Sequence, residues 1–221
     1  MLLIIGASAT GKTTAGRCLA GLGWRHIEAS DVFRRIALRS PARESEDPKA
    51  ADSLFRHDGF DVVAKRVLAD IGAEPSERIA LSGLRTPEEI VALLNSAHSI
   101  RVVNLQASFQ TRLARTDENS SRLRWRDSME FGWGLLPVAM DVADRVVVNE
   151  GSLADFNGEI ELLAADTKWP PAAEPSKEAQ LRYSRLATPN SEHTRPADRA
   201  YMELMRVRWH ERLSGASQSG L

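Results

Sequence analysis

A glycine, four intervening residues and then Gly-Lys-Thr occupy Gly6 to Thr13, inside the stretch GASATGKTT. Glycines at the two ends of that spacing let the backbone turn tightly and bring its N–H groups against a polyphosphate. Lys12 can then reach the β- and γ-phosphates, and the Thr13 hydroxyl can ligate Mg²⁺. We read Gly6, Ala9, Thr10, Gly11, Lys12, Thr13 and Thr14 as the cradle of a nucleoside triphosphate. The setting supports this. The apolar run Leu2–Ile5 precedes the motif as a buried strand would, and Thr13–Leu22 follows as a helix whose positive end faces the phosphates.

Phosphoryl transfer asks for three things: a clamped donor, neutralised charge and an acceptor held in line. EASDVFRRIA puts Asp31 after the second strand-like run, at the head of a helix, with Arg34 and Arg35 one turn on. Asp31 can orient an acceptor or hold Mg²⁺ through water, while an arginine one turn on clamps the acceptor's own phosphate; a plain helix-capping or first-turn carboxylate is the alternative for Asp31. In SGLRTPEE the segment Thr86–Glu89 is a good helix start, which leaves Arg85 as a second acceptor clamp. Arg112 and Arg115 close a further helix, and Arg122, Arg124 and Arg126 crowd the polar stretch TDENSSRLRWRDSMEFGW. The planar fork of arginine grips phosphate oxygens, so the cluster that includes Arg122 and Arg126 joins Lys12 and Asp31 among the catalytic candidates. The alternative for any one of these arginines is a solvated surface charge. No carboxylate ends the strand-like Arg78–Leu81, which argues against motor or switch ATPases and is compatible with a small-molecule kinase.

Strand-like runs at Leu2–Ile5, Arg25–Glu28, Arg78–Leu81, Ile100–Leu105 and Arg145–Val148 must position these groups. Helix-like segments separate them, at Thr13–Leu22, Asp31–Leu38, Phe60–Ile71, Pro87–Ser96, Phe109–Arg115 and Leu153–Ala164. That alternation predicts a parallel sheet flanked by helices, with ligands beyond the carboxyl ends of its strands. Two polar interruptions, Ser40–Asp58 and Thr116–Trp133, break the pattern. Trp133, Leu135 and Leu136 in EFGWGLLPVAM fit a repacked lid helix, a docking surface or core, with core favoured. KWPPAAEPSK reads as a linker, followed by a helical pattern over Ala197–Leu213.

These segments resemble the nucleoside monophosphate kinase-like P-loop proteins, most closely the archaeal nucleotide kinases of dephospho-CoA kinase-like and adenylate kinase-like type. The resemblance is carried by GASATGKTTAG, ASDVFRR, HDGFDVVAKRVLADI, SGLRTPEEIVALL and ADRVVVNEGSLADF, in that family's order over roughly residues 1 to 165. It implies an α/β P-loop NTPase fold with a five-stranded parallel sheet, a lid over about residues 116–135 and a C-terminal helical extension. The corresponding organisation is a kinase-like domain over 1–166, a linker over 167–196 and a helix over 197–213. It implies ATP and Mg²⁺ as cofactors, Asp31 and Arg34 facing a nucleotide monophosphate acceptor, and Arg85 on its phosphate. Arg122 and Arg126 would belong to the lid, Arg115 to the donor side, and Asn149 with Gly151 to the surroundings of the donor's base.

The implied reaction moves the γ-phosphoryl of Mg·ATP to a nucleoside or deoxynucleoside monophosphate. Dephospho-CoA is another acceptor, and a nucleotide-sensing module that does not catalyse is the alternative from a different class. A near-neutral net charge of −1 and few stacking aromatics count against a nucleic-acid end kinase. One cysteine, Cys18, suits a reducing compartment and reads as a small apolar residue. The first apolar run is too short for a signal peptide and no stretch suits a bilayer, so a soluble cytoplasmic protein is expected. The tail, with Thr194-Arg195-Pro196 and Tyr201–Leu204, weakly resembles the lead-in to deoxycytidylate deaminase domains. His26-Ile27-Glu28 is the single H-x-E, on a strand, and no P-C-x-x-C accompanies it, so the chain holds no deaminase zinc site. As an amphipathic helix the tail would dock on the core, a second copy or a partner protein.

Overall fold

A computed structural model describes residues 1–37, 54–55, 57–72, 78–96, 98–132 and 134–165. The linker, the C-terminal helix and the deaminase-like lead-in lie outside the described residues, as do Trp133 and most of the first polar interruption. The strands are β1 (Leu2–Ile5), β2 (Arg25–Glu28), β3 (Ile79–Ser82), β4 (Arg101–Gln106) and β5 (Arg145–Val148). All neighbours are parallel, in the order β2-β3-β1-β4-β5. β1 is central and buried throughout, which is why its sequence is apolar without alternation.

Its side chains divide the core between the two faces of the sheet. Leu3 and Ile5 join Val102 and the apolar faces of four helices: α2 (Ala29–Ala37), α3 (Val62–Ile71), α4 (Pro87–Leu94) and α7 (Leu135–Val142). Leu2 and Ile4 face the other way. They pack with Leu105 and Val147 against Ala15 and Leu19 of α1 (Lys12–Gly21) and Phe156, Ile160 and Leu163 of α8 (Leu153–Ala165). Each such Leu or Ile removed from water contributes roughly 1.5–3 kcal/mol. Leu135, Val138, Ala139 and Val142 are all buried, so Leu135 is core as favoured, whereas Leu136 is half-buried.

Two helices near the carboxyl edge complete the unit, α5 (Phe109–Ala114) and α6 (Ser120–Gly132). The polar stretch over 116–133 is thus largely a helix. Asn119 starts it by accepting the Arg122 N–H at 2.9 Å, and Leu123 is its one buried apolar anchor among the described side chains. Ion pairs hold the rest, so the stretch lacks the apolar periodicity that marks most helices.

Candidate active site

The turn between β1 and α1 carries the residues that the sequence assigns to a donor cradle. Gly6 and Gly11 adopt φ of 155° and 100°, and Ala9 is left-handed at 62°. A Cβ on Gly6 would stand 2.3 Å from the Leu105 carbonyl oxygen, and one on Gly11 2.7 Å from Asn149 Nδ2. Neither position tolerates a side chain. Thr10 fastens the loop by donating its hydroxyl to the Ala7 carbonyl at 2.8 Å, and Asn149 Nδ2 donates to the Thr10 carbonyl at 3.0 Å. Lys12 lies across the loop and donates to the carbonyls of Gly6 and Ala7, each at 2.7 Å. Burial lowers its pKa, and the negative charges of Glu130 and Glu28 work against that shift.

A cavity of about 480 Å³ opens on this loop, lined by Ala9, Gly11, Lys12, Thr13, Thr14, Arg115, Asn149, Gly151, Leu153 and Phe156. Arg115 braces its rim by donating to the carbonyls of Asn149 at 2.8 Å and Gly151 at 3.2 Å. The donor-side candidates therefore meet around one space.

At the head of α1 the Thr13 hydroxyl donates to Glu28 Oε2 at 3.1 Å. The same oxygen accepts the Ser82 hydroxyl at 2.8 Å, and His26 Nε2 lies 2.8 Å from Ser82 Oγ. Because Ser82 spends its proton on Glu28, His26 must donate through Nε2–H. Burial lowers the His26 pKa and favours the neutral ring, opposed by Glu28. A hydroxyl with free lone pairs beside a carboxylate is the hard oxygen set that suits Mg²⁺. Thr13 would hold the ion, which when bound would neutralise charge on a phosphate held by the loop. Among the described residues, no group of 3 or more His, Cys, Asp or Glu is arranged to hold a metal by itself.

A second cavity, of about 780 Å³, lies on the β2 side and includes His26, Glu28, Asp31, Arg34 and Arg35 in its lining. Asp31 and Arg34 form an ion pair with each other, and both are exposed. Arg85 is placed differently. Its guanidinium lies 4.6 Å above the Phe33 ring, and burial lowers its pKa. It emerges from the loop before α4, which a reciprocal cap holds. Thr86 Oγ1 accepts the Glu89 N–H at 3.3 Å, while Glu89 Oε2 accepts the N–H groups of Thr86 at 3.0 Å and Arg85 at 2.5 Å. Burial pushes the Glu89 pKa up to about 7.

Helix α6 closes over the loop. Glu130 accepts from Ser8 twice, from its N–H at 3.1 Å and its hydroxyl at 2.8 Å. One turn earlier Asp127 takes both ends of Arg112, at 2.7 and 2.6 Å, and Arg112 also donates to the Ser8 carbonyl at 3.0 Å. Arg112 is thereby spent inside the protein. Arg122 and Arg126 both pair with Glu118, at 3.4 and 3.0 Å. Only Arg126 of the two contributes charge at both Lys12 and Arg85.

No protein-family model matches the chain. Among relatives, it is 25% identical over 167 residues to the UPF0200 protein of Methanoregula boonei, covering 71% of this chain and 91% of that one. Among solved structures, the Thermus thermophilus protein TT1252 superposes with a TM-score of 0.52 at 14% identity, covering 76% of this chain and 97% of its own. The fold is that of the P-loop NTPases. A shikimate kinase from Acinetobacter baumannii aligns at a TM-score of 0.47 and 20% identity, over 76% of this chain and 94% of its own.

The sequence reading assigned neither Glu28, noted there only within an H-x-E, nor Glu130 to the phosphate loop. Glu28 carried one signal, an acidic residue at the last position of a strand that feeds the site. The carboxylate bonded to Thr13 is Glu28, whereas Asp31, expected to reach Mg²⁺ through water, pairs with Arg34. No described helix is long and apolar enough to cross a membrane.

Proposed function

We propose that the protein is an ATP-dependent phosphotransferase that moves the γ-phosphoryl of Mg·ATP to a nucleoside or deoxynucleoside monophosphate. The observation that carries this reading is the adjacency of the two cavities across the Thr13–Glu28 contact. One is lined by the phosphate loop, the other by Asp31, Arg34 and Arg35. In this reading Gly11, Lys12, Thr13 and Thr14 clamp the donor, and Asn149 with Gly151 stands beside its base. Arg34 and Arg85 grip the acceptor phosphate in bidentate fashion. Arg126 arrives from α6, with Arg122 behind it, to offset charge in the transition state.

The test is incubation of purified protein with Mg·ATP and a panel of monophosphates, with dephospho-CoA included, and products followed by phosphorus NMR. Formation of ADP and a diphosphate with one monophosphate is expected. Turnover of dephospho-CoA alone would select that acceptor instead. Nucleotide binding without transfer to any acceptor would leave a sensing module, a second reading favoured by the Glu130 carboxylate on the phosphate loop.

A further inference from the structure

We propose that Glu28 is the positioning carboxylate for the donor's Mg²⁺, supplying from β2 the charge that many P-loop proteins place at the end of β3. This rests on the donor half of the reading above, binding of Mg·nucleotide at the phosphate loop, and not on the acceptor.

Strand register creates the arrangement. Glu28 and Ser82 are aligned partners at the carboxyl ends of β2 and β3, so a side chain on either strand can serve the same point. β3 ends in Ser82, which carries no charge, and Ser82 donates to Glu28 at 2.8 Å. The other hydrogen bond to that carboxylate oxygen comes from Thr13 at 3.1 Å. A hydroxyl that donates its proton to a carboxylate keeps its lone pairs for a cation and becomes a better ligand, which is how groups behind a metal ligand tune it.

Two glycines make room for the row. A Cβ on Gly83 would lie 1.9 Å from Glu28 Oε1, and one on Gly16 2.2 Å from His26 Nε2. Any side chain at either place would displace the carboxylate or the histidine behind it. The row His26–Ser82–Glu28–Thr13 is therefore built from β2, β3 and α1 together. The H-x-E pattern of β2, without use as a zinc signature, acquires a role here: His26 steadies Ser82, and Glu28 carries the charge.

The experiment is calorimetric binding of ADP with Mg²⁺ and with EDTA, alongside displacement of Mn²⁺ from its free signal by electron paramagnetic resonance. The wild type should bind ADP more tightly with the metal. E28Q should lose at least about tenfold of that enhancement while keeping its metal-free ADP affinity. Adding S82D to E28Q, which moves the carboxylate to β3, should restore the enhancement. A wild-type ratio in E28Q, or no enhancement in the wild type, overturns the inference. Should E28Q fail to fold, E28A is measured in its place: loss of enhancement supports the inference and an unchanged ratio overturns it. Absence of any ADP binding by the wild type overturns both this inference and the proposed function. Metal-dependent ADP binding that needs Glu28, with no acceptor phosphorylated, leaves the inference standing and overturns the transfer reaction.

Discussion

Glu130 of α6 accepts two hydrogen bonds from Ser8 in the phosphate loop, across 122 residues of sequence. A carboxylate is thus held where the loop offers its N–H to an incoming phosphate. Donor and Glu130 carry the same sign of charge. Glu130→Gln keeps an oxygen acceptor for Ser8 and removes the charge. It should tighten binding of a non-hydrolysable ATP analogue by about fivefold, since roughly 1 kcal/mol separates like charges at such range near water. ADP should respond less. An unchanged ratio in equilibrium titrations would mean that the carboxylate swings clear when the donor binds.

Lys12 lies across the phosphate loop, and its contacts there at 2.7 Å are to carbonyls that phosphate oxygens can replace as partners. Lys12→Ala should lower the transfer rate by about 10²-fold or more, measured as ADP release with the preferred acceptor. Its thermal midpoint should stay near wild type, because Thr10 and Asn149 still fasten the loop. Full activity in this variant would dismiss the phosphate loop as the donor site.

Arg112 and Asp127 join α5 to α6 through two hydrogen bonds, with the Arg112 side chain 8% exposed. Arg112→Ala strands Asp127 and the Ser8 carbonyl. A loss of about 3 kcal/mol in chemical denaturation is expected. Replacing Asp127 by Asn in the same background should recover part of it, and the coupling is read from a double-mutant cycle.

Glu89 makes stability depend on pH. Its folded pKa, raised from 4.5 to about 7, means that the folded state holds this proton more tightly than the unfolded chain does. The corresponding stabilisation is present below about 4.5 and is lost as pH rises through about 7. The span corresponds to about 3 kcal/mol at most. Glu89→Gln, which keeps an oxygen for the Arg85 and Thr86 N–H groups, should flatten denaturation midpoints measured between pH 5 and 8. A wild-type profile in that variant would place the titration elsewhere.

The sheet was legible because the central strand is a short unbroken apolar run and the others, β2 the weakest of them, recur between helical segments, with predicted limits that differ from the observed ones by one residue at most. The tight turn of the phosphate loop was legible for another reason, since its glycine spacing is written in consecutive residues. Helix α6 was not legible as a helix. Its turns are held by Glu118 with Arg122 and Arg126, and by Asp127 with Arg112, and such pairs leave no periodic trace. Glu28 escaped assignment because its partners lie 15 and 54 residues away and meet it only through strand register. Arg112 looked like one more phosphate-gripping arginine until Asp127 was placed beside it.

Beneath Arg85 the rings of Phe33, Phe55 and Phe60 follow one another at centroid spacings of 5.8 Å. The Phe60 carbonyl accepts the hydroxyl of Thr86, the residue next to Arg85, at 2.6 Å. The guanidinium plane thus rests on a hydrocarbon floor that also fastens its own loop from the side. An arginine seated in this way has already given up much of its rotamer freedom, so gripping an anion costs it less entropy than it would cost a free surface arginine.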